Sequence, residues 1–333
     1  MKVAVLGATG FTGEKLVEIL LSHPKAEVVY LASRTKEEVP YSELFPEFKG
    51  KTSLKCEPLN VQKASQCADI LFLSLPHTVS MEYVPYFLER KKKVIDLSAD
   101  YRLNSALYKK YYGKPHKDKK NLAKAVYGLP EINKEEIAGA QLIANPGCYP
   151  TSVILALFPL LREGVIEGKV IADSKSSITG AGRGAAKDYS SVCGNVWAYK
   201  PFVHQHTPEM QTVLCKKTKK NIDILFVPHV IRAEPGLYST IYVWFKKKIT
   251  VSRIKSIYGK HYKRCPFIRV SKDLPKLNKV VGTNFCDIGV AVDSRGERAV
   301  IASCIDNLIK GAAGTAVQNM NIMAGFSQTL GLL

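Results

Sequence analysis

The chain has 333 residues, 46% of them hydrophobic, enough for two domains with sizeable cores. Its opening residues read as a strand, and no apolar run reaches bilayer length, so neither a secretory signal nor a membrane partner is expected. Eight cysteines without C-x-x-C or metal-ligand spacing read as reduced thiols of a cytoplasmic protein, with no metal.

The formal net charge is +19, from 48 Lys and Arg against 29 Asp and Glu. Its clusters, at 90–93, 109–110, 117–120, 216–220, 246–248 and 260–264, are Lys-rich and scattered between elements. They carry no zinc-finger, homeodomain or RNP-like pattern, so each reads as solvated surface and no nucleic-acid partner is expected. The field they sum to suits phosphate-bearing substrates or acidic proteins.

Residues 2–6 form a short apolar strand that runs into Gly7-Ala8-Thr9-Gly10-Phe11-Thr12-Gly13, and 14–22 follow as a helix. In that setting glycines let the backbone approach a dinucleotide pyrophosphate at a helix N-terminus. G-x-x-G-x-x-G is weak as a bare pattern; its place on the first strand–turn–helix makes Gly7, Thr9, Gly10, Phe11, Thr12 and Gly13 cofactor-binding candidates. The next strand, 27–32, ends at Ser33-Arg34-Thr35-Lys36, where an NAD enzyme tends to carry an acid for the ribose 2′-hydroxyl. Ser33, Arg34, Thr35 and Lys36 instead offer two cations and two hydroxyls to a 2′-phosphate, which predicts NADP(H).

Apolar runs at 70–75 and 93–97 are further strands. The first is closed by Pro76-His77-Thr78 and a helix through 90, the second by Ser98-Ala99-Asp100-Tyr101-Arg102. Residues 141–144 lead into Asn145-Pro146-Gly147-Cys148-Tyr149-Pro150-Thr151, a cysteine on a tight turn before an apolar helix over 152–161, whose first position suits Pro150. A thiol there meets unpaired N–H groups and the positive end of the helix dipole, which favour the nucleophilic thiolate. Strands alternating with helices predict an α/β, doubly wound parallel (Rossmann) sheet with ligands at the carboxyl ends of its strands. Residues 74–78, 98–102 and Cys148 should converge on one crevice.

From about 149 the texture changes. Strands at 169–173, 223–227, 239–245 and 299–302 have fewer helices between them, which predicts a second α+β domain of mostly antiparallel sheet. Gly180-Ala181-Gly182-Arg183-Gly184 offers backbone N–H groups and a cation to an anionic substrate, as Arg102 offers a fork. In His204-Gln205-His206-Thr207-Pro208-Glu209 two histidines share the face of an extended segment. Thr207 then reads as N-cap, Pro208 as the first helical residue and Glu209 as a first-turn acid. Residues 306–330 read as a small-residue helix packing back on the cofactor domain. The expected division is 1–148, completed by about 306–333, and 149–305.

On these residues the chain is similar, over essentially its whole length, to the N-acetyl-γ-glutamyl-phosphate reductase family of the semialdehyde dehydrogenase superfamily. The similarity rests on 7–13, 31–34, 96–102, Tyr127-Gly128-Leu129-Pro130-Glu131, 145–151, 177–183, 204–209, 281–289 and 307–321. It implies reduction of an acyl phosphate by NADPH to an aldehyde, with release of phosphate, in arginine biosynthesis, by a homodimer or homotetramer. Cys148 would displace phosphate and hold a thioester. The resemblance makes His206 the acid–base residue and His204 a supporting or substrate contact, and sets Asn319 toward the nicotinamide. The substrate-binding set is then Arg102, Gly182, Arg183 and Glu209; His77, His116, His229 and His261 are weaker candidates.

One block departs from the family. Pro228-His229-Val230-Ile231-Arg232-Ala233-Glu234-Pro235-Gly236 stands where members commonly read Pro-His-[Leu/Val]-Val-Pro-Met-x-Arg-Gly. With the +19 charge, this keeps open a second substrate, an aminoadipyl or glutamyl phosphate carried on a small acidic protein. The cysteine and histidine blocks argue against aspartate-semialdehyde dehydrogenase. A non-catalytic nucleic-acid binder on a dinucleotide fold is the remote alternative.

Overall fold

Alternation along the first strand sets the architecture. β1 (Lys2–Leu6) sends Val3 and Val5 into one apolar cluster and Ala4 and Leu6 into another, so the sheet around it is covered on both faces. The computed structural model describes residues 1–34, 38–184, 194–233 and 235–333; Thr35 and Lys36 lie outside the described residues.

The other strands of this sheet are β2 (Glu27–Ser33), β3 (Val39–Pro40), β4 (Lys55–Pro58), β5 (Ile70–Leu73), β6 (Lys93–Asp96), β7 (Val126–Tyr127) and β8 (Leu142–Ala144). Their order is β3-β4-β2-β1-β5-β6-β8-β7, parallel apart from the β3–β4 pair. The helices are α1 (Phe11–Leu21), α2 (Tyr41–Leu44), α3 (Val61–Cys67), α4 (Ser80–Glu89), α5 (Ser105–Tyr112), α6 (Lys119–Leu122) and α7 (Pro130–Ala138). Residues of α1, α2 and α7 enter one cluster and residues of α3, α4 and α5 the other. The order turns back between β1 and β5, which makes their carboxyl ends the switch point where a doubly wound sheet takes its ligand.

The chain divides into two units, Met1–Pro146 with Ala312–Leu333, and Gly147–Gly311. In the second, α8 (Cys148–Arg162) precedes β9 (Ile166–Ser177), β10 (Val196–Ala198), α9 (His206–Thr218), β11 (Asp223–Ile231) and β12 (Leu237–Phe245). α10 (Val251–Tyr262), β13 (Ile268–Val270), β14 (Cys286–Val292) and β15 (Arg298–Ile305) complete it. The strand order is β10-β11-β9-β12-β15-β14-β13; β9–β11 and β13–β14 are parallel and the remaining pairs antiparallel. Helix α8 lies on β12 and β15, flanked by α9 and α10.

Cys148 thus opens the second unit rather than closing the first, because it is the first residue of a helix whose apolar residues from Val153 to Leu161, Phe158 apart, are buried there. The single helix expected over 306–330 is also shorter. A π-helical turn, Ile309–Ala313, precedes α11 (Gly314–Met323). Gly325 at φ 73 then stops the helix, with Gly325 N–H on Ile322 O at 3.1 Å and Phe326 N–H on Asn321 O at 2.8 Å, a Schellman closure. No helix of the described residues is long and apolar enough to cross a membrane.

Candidate active site and cofactor turn

Gly147, at φ −71 and ψ 157, is the N-cap of α8, and its carbonyl accepts both the N–H and the hydroxyl of Thr151 at 2.9 Å. Pro150 is therefore the third helical residue, not the first. The reason for a proline survives, since no N–H of the first turn has an intrahelical acceptor. The Gly147 N–H donates to Glu209 Oε1 at 2.9 Å, and Glu209 is only 1% exposed. A buried carboxylate from α9 thus holds the turn that carries the half-buried Cys148.

Two glycines leave the thiol its neighbours. A Cβ on Gly147 would stand 2.5 Å from His206 Nε2, so the imidazole lies directly against the residue before the cysteine. A Cβ on Gly311 would stand 2.8 Å from Cys148 Cβ. Both are closer than a real side chain permits.

His206 is the first residue of α9, with Gln205 as N-cap, so the helix starts ahead of the expected Thr207 and Pro208. The histidines are not an extended pair. His204 Nδ1 accepts the His206 N–H at 3.1 Å and the rings sit 4.8 Å apart. Tyr149 meets both rings edge-on, at 5.7 and 5.8 Å, and Phe226 at 5.1 Å. Burial, assisted by the Lys200 charge, lowers His204 to about 4, so it is neutral near pH 7. Burial likewise raises Tyr199 to about 12 and Tyr149 further, while their hydroxyls lie 3.3 Å apart.

In the first unit Gly7 has φ +90, and its N–H and that of Ala8 both reach Ala32 O, at 2.7 and 2.9 Å. A Cβ on Gly7 would meet Ser74 O at 2.1 Å, and one on Gly13 would meet Gly7 O at the same distance. Gly10 differs: its Cβ would make only ordinary contact, 3.7 Å from Gly7 O. The chain's own packing explains the outer glycines and does not require the middle one. Thr9, Phe11 and Thr12 complete the turn and open α1, Ser33 is buried at the end of β2, and Arg34 is exposed just beyond it.

Asn319, fully buried on α11, donates Nδ2 to Gly128 O at 2.8 Å and to Asn145 Oδ1 at 3.0 Å. Asn145 Nδ2 is held by Ala312 O at 3.1 Å, so the chain of bonds fixes both amides. It leaves Asn319 Oδ1 buried without a donor.

Residues 74–78 and 98–102 converge. Asp100 accepts from Thr78 N–H at 2.7 Å, Met81 N–H at 3.1 Å and the Tyr108 hydroxyl at 2.7 Å, while His77 Nδ1 accepts from Ala99 N–H at 3.1 Å. Arg102 donates Nε to Asn145 O and Nη2 to Leu97 O, each at 2.7 Å, which ties that strand end to the residues ahead of the cysteine turn. Gly182, at φ 86, and the exposed Arg183 follow a 3₁₀ turn. The Asn307 amide donates to Thr179 Oγ1 of that turn at 3.0 Å and accepts from Gly236 N–H.

The weaker histidines are engaged elsewhere: His116 Nε2 is 2.7 Å from Asp100 O, and His261 Nε2 is 2.9 Å from Glu163 Oε1. His229 Nδ1 lies 3.0 Å from Asp173 Oδ1, in ion-pair range but outside hydrogen-bond geometry. Asp100 and Asn307 are contributors that sequence reasoning did not single out. Both sat in quoted blocks, but their partners come from other loops. Among the described residues no group of His, Cys, Asp and Glu is placed to hold a metal ion.

Residues 2–140 match the family described as semialdehyde dehydrogenase, NAD binding domain, and residues 148–307 that described as semialdehyde dehydrogenase, dimerisation domain. The chain is 46% identical to the N-acetyl-gamma-glutamyl-phosphate reductase of Desulfotalea psychrophila, across 100% of this chain and 98% of the relative. It is 47% identical to that of Geobacter sulfurreducens with the same coverage. The chain belongs to the N-acetyl-γ-glutamyl-phosphate reductase family.

The first unit is accordingly an NAD(P)-binding domain of this reductase family, and the second a dimerisation domain that also carries Cys148 and His206. Aspartate semialdehyde dehydrogenase II of Vibrio cholerae, solved with ASA, has the same fold. Its TM-score is 0.75 at 19% identity, over 97% of this chain and 98% of that one.

Proposed function

We propose that this chain reduces N-acetyl-γ-glutamyl phosphate to N-acetylglutamate 5-semialdehyde and phosphate, with NADPH as reductant and Cys148 as nucleophile. The observation that carries the reading is the His206 imidazole packed on Gly147, beside a thiol at the first position of α8. The Cys148 thiolate attacks the acyl carbon, the carbon–oxygen bond to phosphate breaks, and a thioester on Cys148 remains. His206 takes the thiol proton and holds it first beside the sulfur, then beside the oxyanion that forms as the thioester is reduced. A dinucleotide held by the glycine turn after β1 would supply the hydride for that reduction. Expulsion of the Cys148 thiolate then frees the aldehyde. His204, neutral at working pH, orients His206 through its N–H and is not the acid, and Glu209 positions the turn.

The residues of the first unit fit a dinucleotide. Gly10 leaves room on the turn, and Asn319 Oδ1 is a buried acceptor suited to a carboxamide N–H of nicotinamide. Ser33 and the exposed Arg34 support NADP(H) over NAD(H), since neither repels a 2′-phosphate. Gly182 and Arg183 are the candidate partners of the substrate's anionic groups, with Arg102 bracing the turn. The enzyme works as a cytoplasmic homodimer or homotetramer on this reading.

The test is the reverse reaction, semialdehyde with phosphate and NADP+ or NAD+. Cys148→Ser should abolish turnover and leave NADPH binding near normal; more than about a tenth of wild-type activity would remove Cys148 from the role. Equal use of NAD+ would remove the 2′-phosphate reading.

The net charge of +19 favours one second reading, in which the acyl phosphate rides on a small acidic carrier protein. In that case kcat/KM would fall steeply toward physiological salt, as steering is screened over about 8–10 Å. Neutralising Lys216, Lys217, Lys219 and Lys220 would have the same effect. Efficient turnover of the free substrate with shallow salt dependence is the expected result.

A further inference from the structure

Beyond its first turn α8 is apolar as far as Leu161, and apolar burial by itself supplies no directional bond to set the height of a helix on a sheet. Its polar ties there are few: the Tyr258 and Tyr262 hydroxyls of α10 donate to Ala156 O at 2.5 Å and Leu155 O at 2.6 Å, and Ser152, one turn past Cys148, ties the helix to the sheet beneath it. Its hydroxyl lies 3.2 Å from Ser303 O and 3.0 Å from both Ser303 Oγ and Ser239 Oγ. The Ser303 hydroxyl donates back to Ser152 O at 3.0 Å, so helix and strand grip each other at two points.

The grip continues across the sheet. Ser239 on β12 stands opposite Ser303 on β15 and opposite Ser174 on β9, and the Ser174 hydroxyl donates to Ser239 Oγ at 2.8 Å. Cys286 Sγ on β14 lies 3.4 Å from Ser303 Oγ. All four serines are 0% exposed. A buried hydroxyl left without a partner is costly, so such a row tolerates only arrangements that keep its bonds together. At the other end of that turn, Gly311 leaves Cys148 no slack.

We infer that Ser152 and Ser303 are positioning residues for the nucleophile: the buried serine row registers α8 on its sheet and so sets Cys148 against Gly311 and His206. The inference rests on Cys148 being the nucleophile, and its primary readout does not depend on turnover.

Ser152→Ala and Ser303→Ala are compared in the full-length enzyme with Leu160→Ala, which opens a cavity under the far end of the same helix. Alkylation of Cys148 by iodoacetamide is followed by mass spectrometry at 25 °C, beside kcat, KM and Tm. The serine variants should alkylate Cys148 at least about threefold more slowly, because the helix amides no longer face the thiolate. They should also lose about tenfold in kcat with KM within about twofold. Leu160→Ala should lower Tm and leave the alkylation rate unchanged.

Serine variants that lose only Tm, or a Leu160→Ala that slows alkylation equally, would overturn the inference. If a single variant fails to fold, Ser152→Ala combined with Ser303→Ala removes both partners together and is read in the same way. Turnover retained by Cys148→Ser would sink the nucleophile reading, while the alkylation contrast would still decide whether the row registers Cys148.

Discussion

Gly147 has an ordinary φ of −71, so its lack of a side chain answers to sterics rather than to backbone conformation. Alanine there would leave the helix cap intact and drive its methyl into the His206 ring. Gly147→Ala should therefore lower kcat about a hundredfold while NADPH binding, measured by fluorescence titration, stays within about twofold. His204 gives a second prediction at this scale. Its folded-state pKa of about 4 lies below the unfolded value near 6.5, so between these values the unfolded chain binds the extra proton. Its contribution is complete above the unfolded pKa and is lost as pH falls through this window, on the order of 3 kcal/mol in all. His204→Asn keeps an acceptor for the His206 N–H and removes the titration. Its urea midpoint should fall less between pH 6.5 and 4 than that of the wild type.

Helix α4 begins without a cap of its own, since Val79 offers no side-chain acceptor. The cap comes from Asp100, whose two oxygens take Thr78 N–H and Met81 N–H. It holds Thr78 at φ 73, a conformation that a β-branched residue rarely adopts. Strain of this kind persists only where neighbours over-determine it, and it collects at ligand sites; here it lies after β5, at the switch point of the sheet. Thr78→Gly should relieve the strain and raise stability by up to about 1 kcal/mol in urea unfolding, with the Asp100 bond kept. A midpoint unchanged or lowered would mean that the backbone is not strained.

At the scale of the whole molecule, the first unit needs both ends of the chain. Ala316, Val317, Met320, Ile322 and Met323 of α11 belong to the same buried cluster as Val3 and Val5 of β1 and Leu16 of α1. His23, 4% exposed, also pairs through Nε2 with Asn321 Oδ1 at 3.0 Å. Deleting residues 312–333 should remove cooperative unfolding of the cofactor domain and abolish NADPH binding. A truncated chain that still titrated with NADPH would show the helix to be dispensable.

The sequence by itself determined the chemistry and the elements that carry it: the glycine turn after β1, a thiol at a helix start, the histidine block and the parallel sheet. These are local signals, in which residue type and spacing within a few positions decide conformation. Local spacing also set its limit, since helix starts at His206 and Cys148 and the end of α11 were displaced by a few residues. Only the tertiary structure decided which contacts those residues make. Nothing near Gly147 in the chain foretells that Glu209 takes its N–H, that the His206 ring needs its missing side chain, or that Gly311 backs the cysteine. Nor does any local pattern mark four distant serines as one row. The physical reason is that hydrogen bonds and close packing join groups by distance in space, and the order of strands in a sheet sets that distance.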